Sequence, residues 1–126
     1  MRLKMLVAAA ALVTSTIATA QSMNAEIFHR RATALQKKGA AALFSMGEVK
    51  TLMREVNAAG ERNRATRLAA VAAGRTPRYC PPPKGQGKGM NSDEFMQRLA
   101  AIPAGERARL DMTEASARIM AGRYPC

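Results

Sequence analysis

Two cysteines constrain this chain more than any other feature: Cys80, in the run "RYCPPP", and Cys126, which stands 46 positions later as the last residue. Whether they pair depends on the compartment, and the opening residues speak to that. Arg2 and Lys4 make a positive start, Met5 to Val13 an apolar run, and "ATA" at Ala18 to Ala20 a small-residue cleavage site. That order is the signature of a secretory signal peptide, so residues 1–20 are expected to leave after Ala20 and the mature chain to begin at Gln21. The apolar run is too short to span a bilayer, and Thr14, Ser15, Thr16 and Thr19 dilute it, so no transmembrane segment is expected in the mature chain. The expected location is periplasmic or secreted. In an oxidising compartment two cysteines pair, which predicts a Cys80–Cys126 disulfide. Closing a loop of that length stabilises a fold by roughly 4 kcal/mol. The contribution matters because the core is thin: the chain has no Trp, three Phe and two Tyr, and many of its apolar positions are Ala.

β-Branched residues are few and no run alternates with period two, so the chain reads as all-α, a small bundle of four to five short helices stapled by one disulfide. "NAEIFHRRATALQKKG" offers Ile27, Phe28, Ala34 and Leu35 on one side, with Lys37 and Lys38 in its last turn and Gly39 as a stop. In "SMGEVKTLMREVNAAG" a capping box, Ser45 to Glu48, precedes Val49, Leu52, Met53 and Val56 at i, i+3, i+4, i+7, and Gly60 is expected to end that helix. "ERNRATRLAAVAAG" reads as a separate, weakly buried and strongly positive helix, with Leu68 and Val71 its large apolar residues. Residues 79–92 form a Pro/Gly-rich loop, stiff at its prolines and loose at its glycines. Two further helices follow. One is capped at Asn91 or Ser92, carries Phe95, Leu99 and Ile102 and stops at Pro103; the other starts at Asp111 and buries Met112, Ala115, Ile119 and Met120. Residues 21–126 thus read as one helical domain.

The formal charge is +11, and loss of Arg2 and Lys4 leaves the mature chain near +9, with the excess concentrated in residues 21–78. A domain this positive attracts anionic partners. Nucleic acid is excluded by compartment and by the lack of aromatic residues interleaved with the basic ones; anionic glycans, membrane surfaces or an acidic protein remain, beside a merely soluble basic surface. No cofactor is expected. The glycines of "KGQGKGM" follow no strand and lack the spacing of a phosphate loop. His29 is the only histidine, with no carboxylate at i+3 or i+4 to share a metal. Asp93, Glu94, Asp111 and Glu114 stand where helix caps need them, and Met46, Met53, Met96, Met112 and Met120 fall at core spacing. The expectation is a non-enzymatic binding protein. Its candidate contact residues are Lys84 and Lys88 at the loop tip, and Arg62, Arg64 and Arg67 in the basic helix, a set that Arg75 and Arg78 extend.

The stretch from Tyr79 to Cys126, with Cys80, Pro82, Pro103 and the Tyr124-Pro125-Cys126 end, resembles the Tai/Rap family of periplasmic immunity proteins of type VI secretion systems. The likeness covers that stretch and the signal peptide. It implies a small helical protein that binds and blocks a secreted effector, a cell-wall-degrading amidase. Residues 21–79 lack the further cysteine pair that members of that family often carry. A basic structural or polyanion-binding envelope protein is the alternative.

The first test is the export reading. Intact mass of protein recovered from the periplasm should correspond to a chain beginning at Gln21; a mass that retains Met1 to Ala20 contradicts it.

Overall fold

The computed structural model describes residues 22–126; the expected signal peptide and its cleavage site lie outside the described residues. Helix α1 spans Ala25–Lys38, a 3₁₀ stretch follows over Gly39–Ser45, and α2 runs over Met46–Ala72. After the loop come α3, Ser92–Ala101, the single turn α4, Ala104–Arg107, and α5, Met112–Arg123. The described residues contain no strand; an isolated antiparallel bridge joins Asn24 to Asp111. The all-α bundle and its one disulfide are as the sequence predicts.

Three helices begin on side-chain caps. Asn24 accepts from the amides of Glu26 and Ile27, Asn91 from Glu94, and Asp111 from Glu114, each supplying an acceptor to an otherwise orphaned N–H. The bridge sets two of these starts side by side, through Ala25 N–H to the Leu110 carbonyl at 2.9 Å and Met112 N–H to the Met23 carbonyl at 2.7 Å. Residues 22–24 are tied in by the same junction: the Met23 amide donates to Glu55, and the Thr113 amide donates to Ser22 Oγ.

Not all the helices are short. The expected break at Gly60 does not occur: α2 continues through it for 27 residues in all. A mid-helix glycine costs about 1 kcal/mol relative to alanine. That cost is offset by one buried face running unbroken across the glycine, from Leu52 through Ala59 to Asn63. Ala59 and Ala115 are fully buried, and the Asn63 amide donates to the Thr113 carbonyl at 3.0 Å, fixing α2 against α5. The helix ends at Gly74, where the Gly74 amide bonds Val71 and the Arg75 amide bonds Ala70. This Schellman arrangement needs a left-handed residue, and Gly74 supplies it at φ 71°.

The expected cap at Ser45 is also absent. The 3₁₀ stretch runs straight into α2, so upstream carbonyls serve its first amides, and Ser45 Oγ accepts instead from Lys38 Nζ. Glu48, the other half of the expected box, is gripped by Arg31 through two bonds at 2.5 and 2.6 Å.

The core gathers Phe28, Leu52, Leu99, Met112 and Ile119 with four alanines, Ala25, Ala32, Ala59 and Ala115. Phe28 meets Phe95 edge-on, with ring centroids 6.5 Å apart. Ile27, Ala34, Met46 and Met53, which periodicity also assigned to core faces, are exposed. Small residues narrow the buried stripes, so positions one step to the side fall into solvent.

The sequence reading missed Arg107, a buried cation with a side chain only 8% exposed. Its Nε donates to Glu26 of α1 at 2.6 Å, and its Nη1 donates to the carbonyls of Leu99, Ala100 and Ile102 at the end of α3. Arg107→Met should remove the partner of Glu26 and strand the Ala100 and Ile102 carbonyls, each bond worth about 1 kcal/mol, while Leu99 keeps the Ile102 amide. The melting temperature should fall by roughly 10 °C or more. A thermal melt of Arg107→Met within two degrees or so of the parent would refute this role.

Candidate functional site

The loop after Tyr79 is fastened at its base and open at its tip. Cys80 and Cys126 are bonded, with Cα atoms 4.8 Å apart, and the Cys80 amide donates to the Tyr124 carbonyl at 2.8 Å. Tyr79 is buried beside them. From the last helix, Tyr124 Oη donates to the Lys88 carbonyl at 3.3 Å, while Arg123 stacks 4.8 Å over the Tyr124 ring and donates to Glu94. Between these anchors the Gln86 amide bonds the Pro83 carbonyl, closing a turn. Gly85 and Gly87, at φ 85° and 86°, take left-handed conformations there that side-chain-bearing residues rarely adopt. Lys84 lies on this exposed turn, and Lys88, also exposed, follows it at the residue whose carbonyl Tyr124 holds. The structure therefore brings Lys84, Lys88 and the Cys80–Cys126 bond into one element. The Tyr124 anchor follows from no local pattern; only the disulfide brings that ring under the loop.

The arginines of α2 are not brought together in the same way. At 100° per residue Arg64 and Arg67 lie about 60° apart on one flank of the helix, whereas Arg62 lies about 140° or more from both. Arg62 reaches Thr113 Oγ1 on α5, Arg64 is exposed and Arg67 is half-buried. Arg78 is committed to Glu114 by two bonds of 2.8 Å. Arg75 is exposed just beyond the end of α2.

Of the four carboxylates of the sequence reading, Glu94, Asp111 and Glu114 have structural partners, while Asp93 is exposed in the first turn of α3. Asp111 caps α5, Glu94 accepts from Arg98 and Arg123, and Glu114 accepts from Arg78 and Arg118. Hydrogen bonding from Arg78, aided by Arg118, holds the Glu114 carboxyl below its ordinary value; Arg107 does the same for Glu26 and Arg31 for Glu48. Such groups remain anions that accept hydrogen bonds, the opposite of a carboxyl tuned to deliver a proton.

A shallow groove of about 320 Å³ runs along α1, lined by Glu26, His29, Arg30, Thr33, Lys37 and Arg107 among others. Burial, reinforced by the Arg107 charge, pushes the His29 imidazole below its usual range. Glu26 is engaged by Arg107 and Arg30, so the groove pairs no free carboxylate with the histidine. Among the described residues no group of three His, Cys, Asp or Glu side chains could hold a metal ion, and no helix is long and apolar enough to cross a membrane. The chain matches no protein-family profile, no curated protein and no solved structure.

These shifts fix a pH dependence. A carboxyl whose pKa is lowered on folding binds fewer protons folded than unfolded, so its stabilisation is present above the unfolded value near 4.5 and is lost as pH falls. The lowered His29 value acts in the same direction, beginning below its unfolded value near 6.5. The melting temperature should therefore drop in two stages on acidification, and His29→Gln should abolish the first alone. A melting temperature that rises between about pH 7.5 and 5.5 has the wrong sign for this account.

Proposed function

We propose that this chain is an exported, non-enzymatic binding protein of the immunity type, which inhibits a secreted peptidoglycan amidase by presenting the loop over residues 81–90 to it. The observation that carries this reading is the contrast within one element: a backbone fixed by the disulfide and by Tyr124 at Lys88, and exposed cationic side chains, Lys84 on the turn and Lys88 at the anchor. A loop ordered before binding loses less freedom on docking, so more of its contact energy survives as affinity. The arginine-paired carboxylates support a binding rather than a catalytic role. The C-terminal pattern from Tyr79 to Cys126 supports the immunity class, and the disulfide suits the oxidising compartment where such inhibition takes place.

An inhibitor interface buries roughly 800 Å² on each side around a few anchors. Binding of that kind survives moderate salt, whereas attraction of a polyanion to Arg64 and Arg75 falls steeply with ionic strength. The oxidised protein, immobilised and exposed to envelope extract at moderate salt, should retain a protein partner whose amidase activity it suppresses. The double variant Lys84→Glu/Lys88→Glu should weaken that capture by roughly tenfold or more. Retention of no protein, together with tight low-salt binding of an anionic glycan, would establish the polyanion-binding reading instead.

A further inference from the structure

Helix α2 carries a second stripe besides its buried one. Leu52, Ala59 and Asn63 mark the inner face. On the outer side Met46, Lys50, Met53, Arg64, Leu68 and Val71 recur at i, i+4, i+7, i+18, i+22 and i+25, within an arc of about 60° over a helix about 40 Å long. The four apolar members are each about half exposed. At the N-terminal end the 3₁₀ stretch adds Leu43, 72% exposed, and Phe44, 94% exposed. Of the large apolar residues exposed among the described residues, only Ile27 lies elsewhere; Asn57, Gly60 and Arg64 interrupt the stripe, so its apolar members form an N-terminal group, Leu43, Phe44, Met46 and Met53, and a C-terminal pair, Leu68 and Val71.

Charge identifies what covers it. Lys37 and Lys38 close α1 just before the 3₁₀ stretch, where Lys38 is held by its bond to Ser45 at 3.0 Å, and Lys50 stands about one turn along α2 from Met46. Arg54 and Arg64 continue the positive edge. On α2, Glu48 is taken by Arg31 and Glu55 accepts from the Met23 amide, which leaves Glu61 against these cations. A second copy of the chain would bring Lys50 and Arg64 against their own kind. The core of a protein interface is depleted in lysine. A bilayer interface takes this combination directly: apolar side chains enter the headgroup–acyl boundary while lysine stems lie along them and hold the ammonium groups at anionic headgroups.

We propose that the outer face of α2, led by the Leu43–Phe44 turn, docks on an anionic phospholipid surface. The contact is peripheral and reversible, because neither a few apolar side chains nor a few lysines suffices alone. It uses neither Lys84 nor Lys88, and so leaves the loop free for another partner.

Vesicle sedimentation tests it. The oxidised protein should pellet with phosphatidylglycerol/phosphatidylcholine vesicles and not with phosphatidylcholine alone, and about 0.5 M salt should release it. Leu43→Ser/Phe44→Ser should lower the partition coefficient roughly tenfold or more, as should Lys37→Glu/Lys50→Glu. All four side chains are exposed, so unchanged melting temperatures certify folding. Because the chain has no native tryptophan, Phe44→Trp gives a clean reporter whose emission should shift to the blue on anionic vesicles alone. No pelleting, equal pelleting with neutral vesicles, or pelleting indifferent to Phe44 and Lys50 would overturn the proposal. So would a solution dimer that Met53→Lys dissociates, which would assign the stripe to a second copy.

Discussion

Arg107 joins pieces of chain that have little apolar surface to hold them together. Its guanidinium leaves the one-turn helix α4, crosses to Glu26 on α1, and collects carbonyls from the frayed end of α3. The Leu99 carbonyl keeps the Ile102 amide as a donor, but Pro103 has no N–H to give it and the helix does not continue to serve Ala100. A buried cation without a counter-charge would be strongly destabilising; Glu26 and the carbonyls satisfy its Nε and Nη1 donors. The turn between α3 and α5 is therefore set by hydrogen bonds, and the placement of α5 against α2 follows from it.

Around that point the fold works with small residues. Alanine at four core positions brings helix backbones close and leaves few large side chains to interlock. Polar bonds then carry the register: Asn63 to Thr113, Met23 to Glu55, and the paired amides of the Asn24–Asp111 bridge. The disulfide closes the far end, where the returning chain meets the last helix through Tyr79, Cys80 and Tyr124. A fold assembled this way spends little apolar area inside, and the residues it does not bury collect on the outside of its longest helix.

Local patterns in the sequence carry most of the elements. Asn91 and Asp111 announce α3 and α5 because a capping carboxylate or amide acts within three residues. The end of α2 at Gly74 is local as well, since only the backbone of its own turn is involved. Gly60 misleads for the same reason in reverse, since its cost is local but the packing that outweighs it comes from α5, more than fifty residues away. Met46 and Met53 mislead because periodicity locates a stripe without saying which edge of it meets a neighbour.

The sequence by itself determined the helical class, the capped starts of α3 and α5, the pairing of its two cysteines and the positive charge, which follow from composition or from contacts within one turn. Tertiary structure alone decided the rest. It set Arg107 against Glu26, 81 positions away, ran α2 through its glycine, and brought Tyr124 under the loop that carries Lys84 and Lys88. It also divided the apolar residues of α2 between core and solvent. The reason is common to all four. Each depends on which distant surface arrives beside a residue, and no periodicity or propensity within the segment contains that.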